Sequence, residues 1–105
     1  MITTPSPATL RKYGLSEADW RAIAKRQGHK CGACGRVPTT NRLNIDHEHR
    51  RGWKAMDPAD RKRHVRGLLC WTCNTKQLAR GATVAGLLGA AAYLKAYEKR
   101  RDSAN

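Results

Sequence analysis

Two Cys-x-x-Cys pairs, Cys31 with Cys34 and Cys70 with Cys73, constrain this chain more than any other feature. Two residues between cysteines make a tight knuckle with both sulfurs on one side, in reach of one ion. Two knuckles supply four thiolates in a tetrahedron, the coordination that suits Zn²⁺. Such a site has no open position for water, so one zinc per chain is expected in a structural role, where binding energy becomes folding energy. The chain needs that help. Its 105 residues include no Phe and only 6% aromatics, and a domain this small hides only roughly two-thirds of its unfolded surface. An iron–sulfur cluster would use the same four ligands. Disulfides fit less well, because Met1-Ile2-Thr3-Thr4-Pro5 lacks the basic and apolar stretches of a secretory signal. A cytoplasmic location is expected.

Lys and Arg number 21 against 8 Asp and Glu, a net charge of +13 with His neutral. An excess this large speaks to polyanionic partners rather than to fold. Nucleic acid is the first candidate. A membrane is excluded as a span, since the longest uncharged run, Gly81 to Leu94, falls short of the ~20 residues required. Nothing in the chain points to a small-molecule substrate.

One domain over residues 1–105 is predicted, α+β and predominantly helical. Residues 1–9 read as a flexible or loosely docked arm. A helical turn is predicted over Leu10 to Tyr13, stopping at Gly14. Ser16 and Asp19 have the spacing of a capping box, which opens a helix over Glu17 to Gln27 that ends at Gly28. Leu43 to His47 alternates apolar and polar residues and predicts a short strand. Asp57 and Pro58 suit the cap and first position of a helical turn ending at Arg63. Val65 to Leu69 predicts a second strand. Cys73-Asn74 opens a helix to about Ala79. A last helix over Val84 to Lys99 carries the apolar stripe Val84, Leu87, Leu88, Ala91 and Leu94, followed by a basic tail over 100–105. Trp20 and Trp71 are expected in the core. Tyr93 and the Leu87/Leu88 stripe are expected in the core or in a dimer contact.

Asp46-His47-Glu48-His49 closes the first strand, and on its own it fits a solvated loop equally well. Adjacent strand residues face opposite ways, so Asp46 and His47 share a face only if the strand bends or ends there. Asn74 strengthens the reading, because it follows the last cysteine and begins a helix. Two strands followed by that helix would bring Asp46, His47 and Asn74 together. A carboxylate and an amide oxygen are hard ligands suited to Mg²⁺ or Mn²⁺. A neutral His beside them can take a proton from water. A hard ion, a base and a cationic surround are what phosphodiester hydrolysis requires.

These residues resemble those of the recombination endonuclease VII family, within the His-Me finger (HNH, ββα-metal) nucleases. The resemblance rests on Tyr13-Gly14-Leu15, Cys31-Gly32-Ala33-Cys34-Gly35, Asp46-His47-Glu48-His49, Val65 to Asn74, and Ala91-Ala92-Tyr93-Leu94. It covers roughly residues 10–95. It implies a ββα-metal core flanked by N- and C-terminal helices, with Cys31, Cys34, Cys70 and Cys73 as structural zinc ligands. It implies Asp46 and Asn74 as ligands of one catalytic Mg²⁺ or Mn²⁺, His47 as general base, and His49 as an assisting residue near the scissile phosphate. It further implies a phage protein acting in a host cytoplasm on DNA, in particular branched DNA such as the four-way junction. Members that resolve junctions are intertwined dimers with a longer C-terminus. This chain ends soon after one helix, so a homodimer is an open expectation.

The stretch between His49 and Val65 is longer than the family pattern. Arg50, Arg51, Lys54, Arg61, Lys62 and Arg63 in that stretch, with Arg66 just beyond it, are the expected DNA-backbone contacts. Trp53 among them suits stacking on an unpaired base or packing against the sheet. Glu48 is expected to point into solvent, and His29 and His64 to take no part in chemistry. Two rival readings stand beside the resolvase. One is a general nicking HNH enzyme of the kind associated with phage genome packaging. The other is a zinc-knuckle protein that holds nucleic acid without cutting.

Overall fold

The computed structural model describes residues 1–78 and 82–104. It is mostly helical with one two-stranded sheet. The elements are α1 (Pro7–Lys12), α2 (Glu17–Arg26), β1 (Asn44–His47), α3 (Pro58–Arg63), β2 (Val65–Leu69) and α4 (Val84–Ala104), with a 3₁₀ turn at Trp53–Ala55 and a π-helical turn at Cys73–Gln77. None of the described helices is long and apolar enough to cross a membrane.

Local chemistry accounts for most of the boundaries. The Ser16 hydroxyl accepts from the Asp19 N–H at 3.0 Å, while the Asp19 carboxylate accepts from the Ser16 N–H at 2.9 Å. This reciprocal box satisfies two otherwise orphaned donors and starts α2. Leu15 and Trp20 flank it at the positions of a hydrophobic staple, and both are buried. Asp57 caps α3 by accepting from the Asp60 N–H, with Pro58 at the first helical position.

The first nine residues are docked. Ile2 is buried in the core, the Thr3 N–H donates to the Asn41 carbonyl at 2.7 Å, and α1 already begins at Pro7 under a Ser6 cap. Ser-Pro is a helix-start signal, and it moves the predicted turn three residues upstream.

Gly14 joins α1 to α2 with φ +71°, and a Cβ there would collide with the Pro58 carbonyl oxygen. Only glycine permits both the left-handed backbone and that close approach.

β1 and β2 pair antiparallel, with Asp46 opposite Gly67 and His47 opposite Val65. Arg66 is therefore the extra residue of a β-bulge. Gln27 secures the sheet at Leu68. Its amide oxygen accepts from the Leu68 N–H at 2.9 Å, and its Nε2 donates to the carbonyls of Leu68 and Lys30, both at 2.9 Å. One side chain thus serves β2 as a neighbouring strand would. Gly67 makes room for it, because a Cβ there would sit 2.7 Å from the Gln27 Oε1.

The core joins Leu10, Leu15, Trp20, Ala24, Leu43, Ile45, Leu68 and Leu69, with Cys31 and Cys73 as members. One expectation about packing is corrected, and of the two placements expected for the α4 stripe the core is removed. Trp71 is 63% exposed rather than buried, because the turn that follows Cys70 aims it outward, with Lys76 over its ring at 5.8 Å. Val84, Leu87, Leu88, Tyr93 and Leu94 are exposed as well, since α4 has a stripe at helical spacing but the core closes without it. α4 runs on to Ala104, past the predicted Lys99 and into the expected tail. The predicted end of the preceding helix, near Ala79, lies outside the described residues.

Gln27→Leu should orphan the Leu68 N–H inside the sheet and cost about 1–3 kcal/mol, read by urea unfolding of metal-loaded protein. Asp19 gives a pH-dependent counterpart. The Ser16 N–H and then Lys62 hold its carboxyl below the ordinary 3.8. A depressed carboxyl contributes stability above its unfolded value and loses it as pH falls through the folded value. Asp19→Asn should therefore cost roughly 0.5–1 kcal/mol near neutrality, with the gap closing on acidification below about pH 4.

Candidate active site and metal centre

The two knuckles meet. The sulfurs of Cys31, Cys34, Cys70 and Cys73 all lie within 4.8 Å of one another, and Cys34 and Cys70 are 3.9 Å apart. A tetrahedron of sulfurs about 2.3 Å from a zinc ion has edges of about 3.8 Å, so the cage is of the right size. The Ala33 N–H points at the Cys31 sulfur and the Cys73 N–H at the Cys70 sulfur, as expected of thiolates in knuckles.

Burial would push the Cys31 thiol up, but the N–H groups of Cys34, Cys70 and Ala33 bring it well below its ordinary range. Burial and the neighbouring sulfurs of Cys70, Cys31 and Cys34 push Cys73 upward. One thiolate in the cage opposes ionisation of the next, and a central cation removes that opposition. The four cysteines are positioned to hold a metal ion, and their chemistry is that of a zinc site.

His47 ends β1 in an aromatic setting. The rings of Trp53, His49 and Tyr13 lie 4.2, 4.8 and 5.5 Å from it, centre to centre. Burial lowers its pKa, and His49, Arg66 and Lys12 lower it further against the opposing pull of Asp46. These surroundings favour the neutral imidazole, the form that can accept a proton. Trp53 packs on His47 and Tyr13, the second of its two expected placements. Arg61 fastens the Trp53 loop, since its guanidinium donates to the carbonyls of Trp53, Lys54 and Lys12 at 3.2, 2.8 and 3.3 Å.

Asp46 is buried. Both its oxygens accept from Arg66, Oδ2 from Nε at 2.8 Å and Oδ1 from Nη2 at 3.0 Å. Asp46 and Arg66 line one cleft, with Gln27 and Leu78. Asn74 and Tyr13 line another, with Asn44 and Arg42. Strand alternation accounts for the separation of Asp46 from its neighbour His47. The bulge at Arg66 supplies the carboxylate with a partner on its own side.

The basic residues expected to touch DNA are spread among intramolecular partners. Arg50 pairs with Glu48, Lys62 with Asp19, Arg63 with Asp60 and Arg66 with Asp46. Arg51 and Lys54 are exposed and make no ion pair among the described residues. Glu48, expected in solvent, also lies 3.2 Å from the His64 Nδ1. Gln27, Tyr13 and the Arg66–Asp46 fork escaped the reading by residue type. Tyr13-Gly14-Leu15 marked the position of Tyr13, but no signal in the chain pairs Arg66 with Asp46.

A small sheet beside four cysteines placed to hold a metal ion, with an acid and a histidine adjacent on one strand, defines a strongly basic α+β domain. The chain belongs to the recombination endonuclease VII family, whose family model matches residues 7–96. It is similar to the Gene 59 protein of Mycobacterium phage D29, 36% identical over 66 residues, which are 62% of this chain. The match spans only 33% of that relative's length. No solved structure matches the chain.

Purified protein should carry one zinc per chain by elemental analysis, released by chelator together with a cooperative loss of structure in circular dichroism. Cys31→Ser or Cys73→Ser should reproduce that loss, because both cysteines belong to the core.

Proposed function

We propose that this chain is a DNA endonuclease with a ββα-metal (His-Me finger) core, zinc-clamped, in which His47 takes the proton from the attacking water. The observation that carries this reading is His47 itself. It is a half-buried imidazole, held among Tyr13, His49 and Trp53 at the end of a strand in surroundings that favour its neutral form, in a chain of an endonuclease family. The order of β1, β2 and the Cys73–Gln77 turn supports the ββα assignment.

In the reaction, a water oxygen bonds to phosphorus as His47 accepts its proton, the bond from phosphorus to the 3′-oxygen breaks, and that oxygen leaves with the electron pair and takes a proton from solvent. The ends are 5′-phosphate and 3′-hydroxyl. His49, 4.8 Å from His47, is assigned beside the scissile phosphate. Asp46 and Asn74 are assigned to one Mg²⁺ or Mn²⁺, which when bound supplies positive charge to the phosphate. Their oxygen donors suit such an ion, but the arrangement is not ready for it. Asp46 is held by Arg66 and opens on a different cleft from Asn74.

DNA is the proposed substrate, branched DNA in particular, with contacts to its backbone from the basic loop. Arg51 and Lys54 are the foremost of these. Recognition of a junction fits action as a homodimer. The phage relative favours a phage protein working in a host cytoplasm.

The test is cleavage of labelled four-way junction, nicked plasmid and linear duplex in Mg²⁺, Mn²⁺ or EDTA. Metal-dependent paired cuts at the junction are expected. His47→Ala should lower the rate by about 10²–10⁴-fold with DNA binding retained. Nicking of all substrates alike would keep the nuclease and remove the branch preference. No cleavage by folded, zinc-loaded protein in any metal would leave a binding module. Arg51→Ala with Lys54→Ala should flatten the log–log salt dependence of binding, its slope falling by ~0.9 for each phosphate no longer neutralised.

A further inference from the structure

Trp71 lies between Cys70 and Cys73 in the chain, and it is 63% exposed. Its backbone is held on both sides. The Asn74 N–H donates to the Cys70 carbonyl at 3.0 Å, the Cys73 N–H points at the Cys70 sulfur, and the Thr75 hydroxyl donates to the Trp71 carbonyl at 2.7 Å. A bonded turn therefore presents the indole to solvent, with the Lys76 ammonium 5.8 Å from the ring centre. An aromatic face on a rigid support binds at little cost in ordering, and the ammonium beside it suits an anionic partner.

The ring lines a cleft with Arg42, Asn44 and Thr72. Arg42 and Asn44 also line the cleft that holds Tyr13 and Asn74. The two clefts thus form one groove, with Trp71 in one part and Tyr13 in the other. The Tyr13 ring lies 5.5 Å from that of His47. Ile45 lines the Tyr13 part and, two positions from His47 in β1, shares its strand face. Among the described residues, no Asp or Glu lines either cleft, whereas the hydroxyl residues Thr3, Ser6 and Thr9 do. Arg42 is exposed and makes no ion pair among the described residues. Hydroxyls, amides and a free guanidinium suit phosphate oxygens, and an exposed indole suits the face of a base. In an intact duplex each base face is covered by its neighbours. A groove with both kinds of group fits an unpaired strand.

We infer that Trp71 is a stacking platform for an unpaired nucleotide of DNA, and that the groove past Arg42 leads the same strand toward His47. The substrate class is then DNA with an unpaired stretch, such as a gap, a flap or an opened branch point. Base identity matters little, because every base has a face to stack. This rests on the reading of DNA as partner made above, and it does not require cleavage.

The test is binding of zinc-loaded protein to a labelled thymidine oligonucleotide and to a hairpin duplex, followed by fluorescence anisotropy. A His47→Ala background spares the DNA. Trp71→Ala should weaken single-strand binding roughly 5- to 100-fold and change duplex binding less than twofold. Trp71→Leu should behave as Trp71→Ala does, while Trp71→Phe should retain most of the affinity. With an oligonucleotide of abasic residues the parent should fall to the level of Trp71→Ala, and the substitution should then have no further effect. Arg42→Ala should lower the log–log salt slope on single strands by ~0.7 for the phosphate no longer neutralised.

Equal losses on single strand and duplex, or the same loss on abasic DNA, would overturn the platform. So would a Trp71→Leu protein that binds as the parent does. Absence of binding to either DNA would remove DNA as partner and the platform with it. Zinc content and thermal melting identify any variant that has lost its fold, and Trp71→Phe against Trp71→Leu keeps ring volume and aromaticity apart. The nuclease reading fails separately, in the cleavage assay with His47 intact.

Discussion

Four sulfurs gathered inside one small cage are the interaction on which the rest of this molecule depends. Thiols from segments almost forty positions apart in the chain meet within 4.8 Å, and each one that ionises opposes the next. A cation at the centre would turn that opposition into cohesion. Cys31 and Cys73 are also members of the hydrophobic core, so the cage and the core are one structure. A chain without Phe has few other ways to join its N-terminal helices to its sheet.

The clamp reaches the sheet through Gln27 and the first knuckle. The Gly32 N–H donates to the Leu68 carbonyl at 3.0 Å, and the Gln27 amide holds the same residue on both its backbone groups. Leu68 is opposite Ile45 in β1, the residue before Asp46. The end of α2, the cysteine cage and the Asp46–His47 step therefore share one short mechanical path. Gly67 belongs to that path, since any side chain there would displace the Gln27 amide.

Asp46 and His47 are separated by the pleat of a single strand. His47 turns to an aromatic nest and Asp46 to the Arg66 fork. The long basic loop contributes to the nest as well as to charge. Arg61 directs its donors to three carbonyls and so fixes Trp53 against His47. Several of the other cations are neutralised locally by Glu48, Asp19 or Asp60. Net charge gives the surface its sign, and the local pairs select which cations remain open to a polyanion.

Much of this was legible in residue order, because it depends on near neighbours. The capping box at Ser16, the turn opened by Asp57 and Pro58, the strand Val65–Leu69 and the two knuckles are all interactions over a few residues. Chemistry at that range is written in spacing. The Ser6-Pro7 signal was equally local, though it lies in a stretch that composition alone assigns to an arm. The long-range features were not legible. Periodicity put an apolar stripe on α4, yet burial requires a partner surface, and the core closes without one. Residue type made Arg66 a candidate for phosphate and Asp46 a candidate for metal, but their pairing follows from a bulge in β2. The sequence by itself determined the four thiols, the histidine at the strand end and the basic surround. Only the tertiary structure decided which of those groups face each other, because a pleated strand parts adjacent residues and a bulge brings distant ones together.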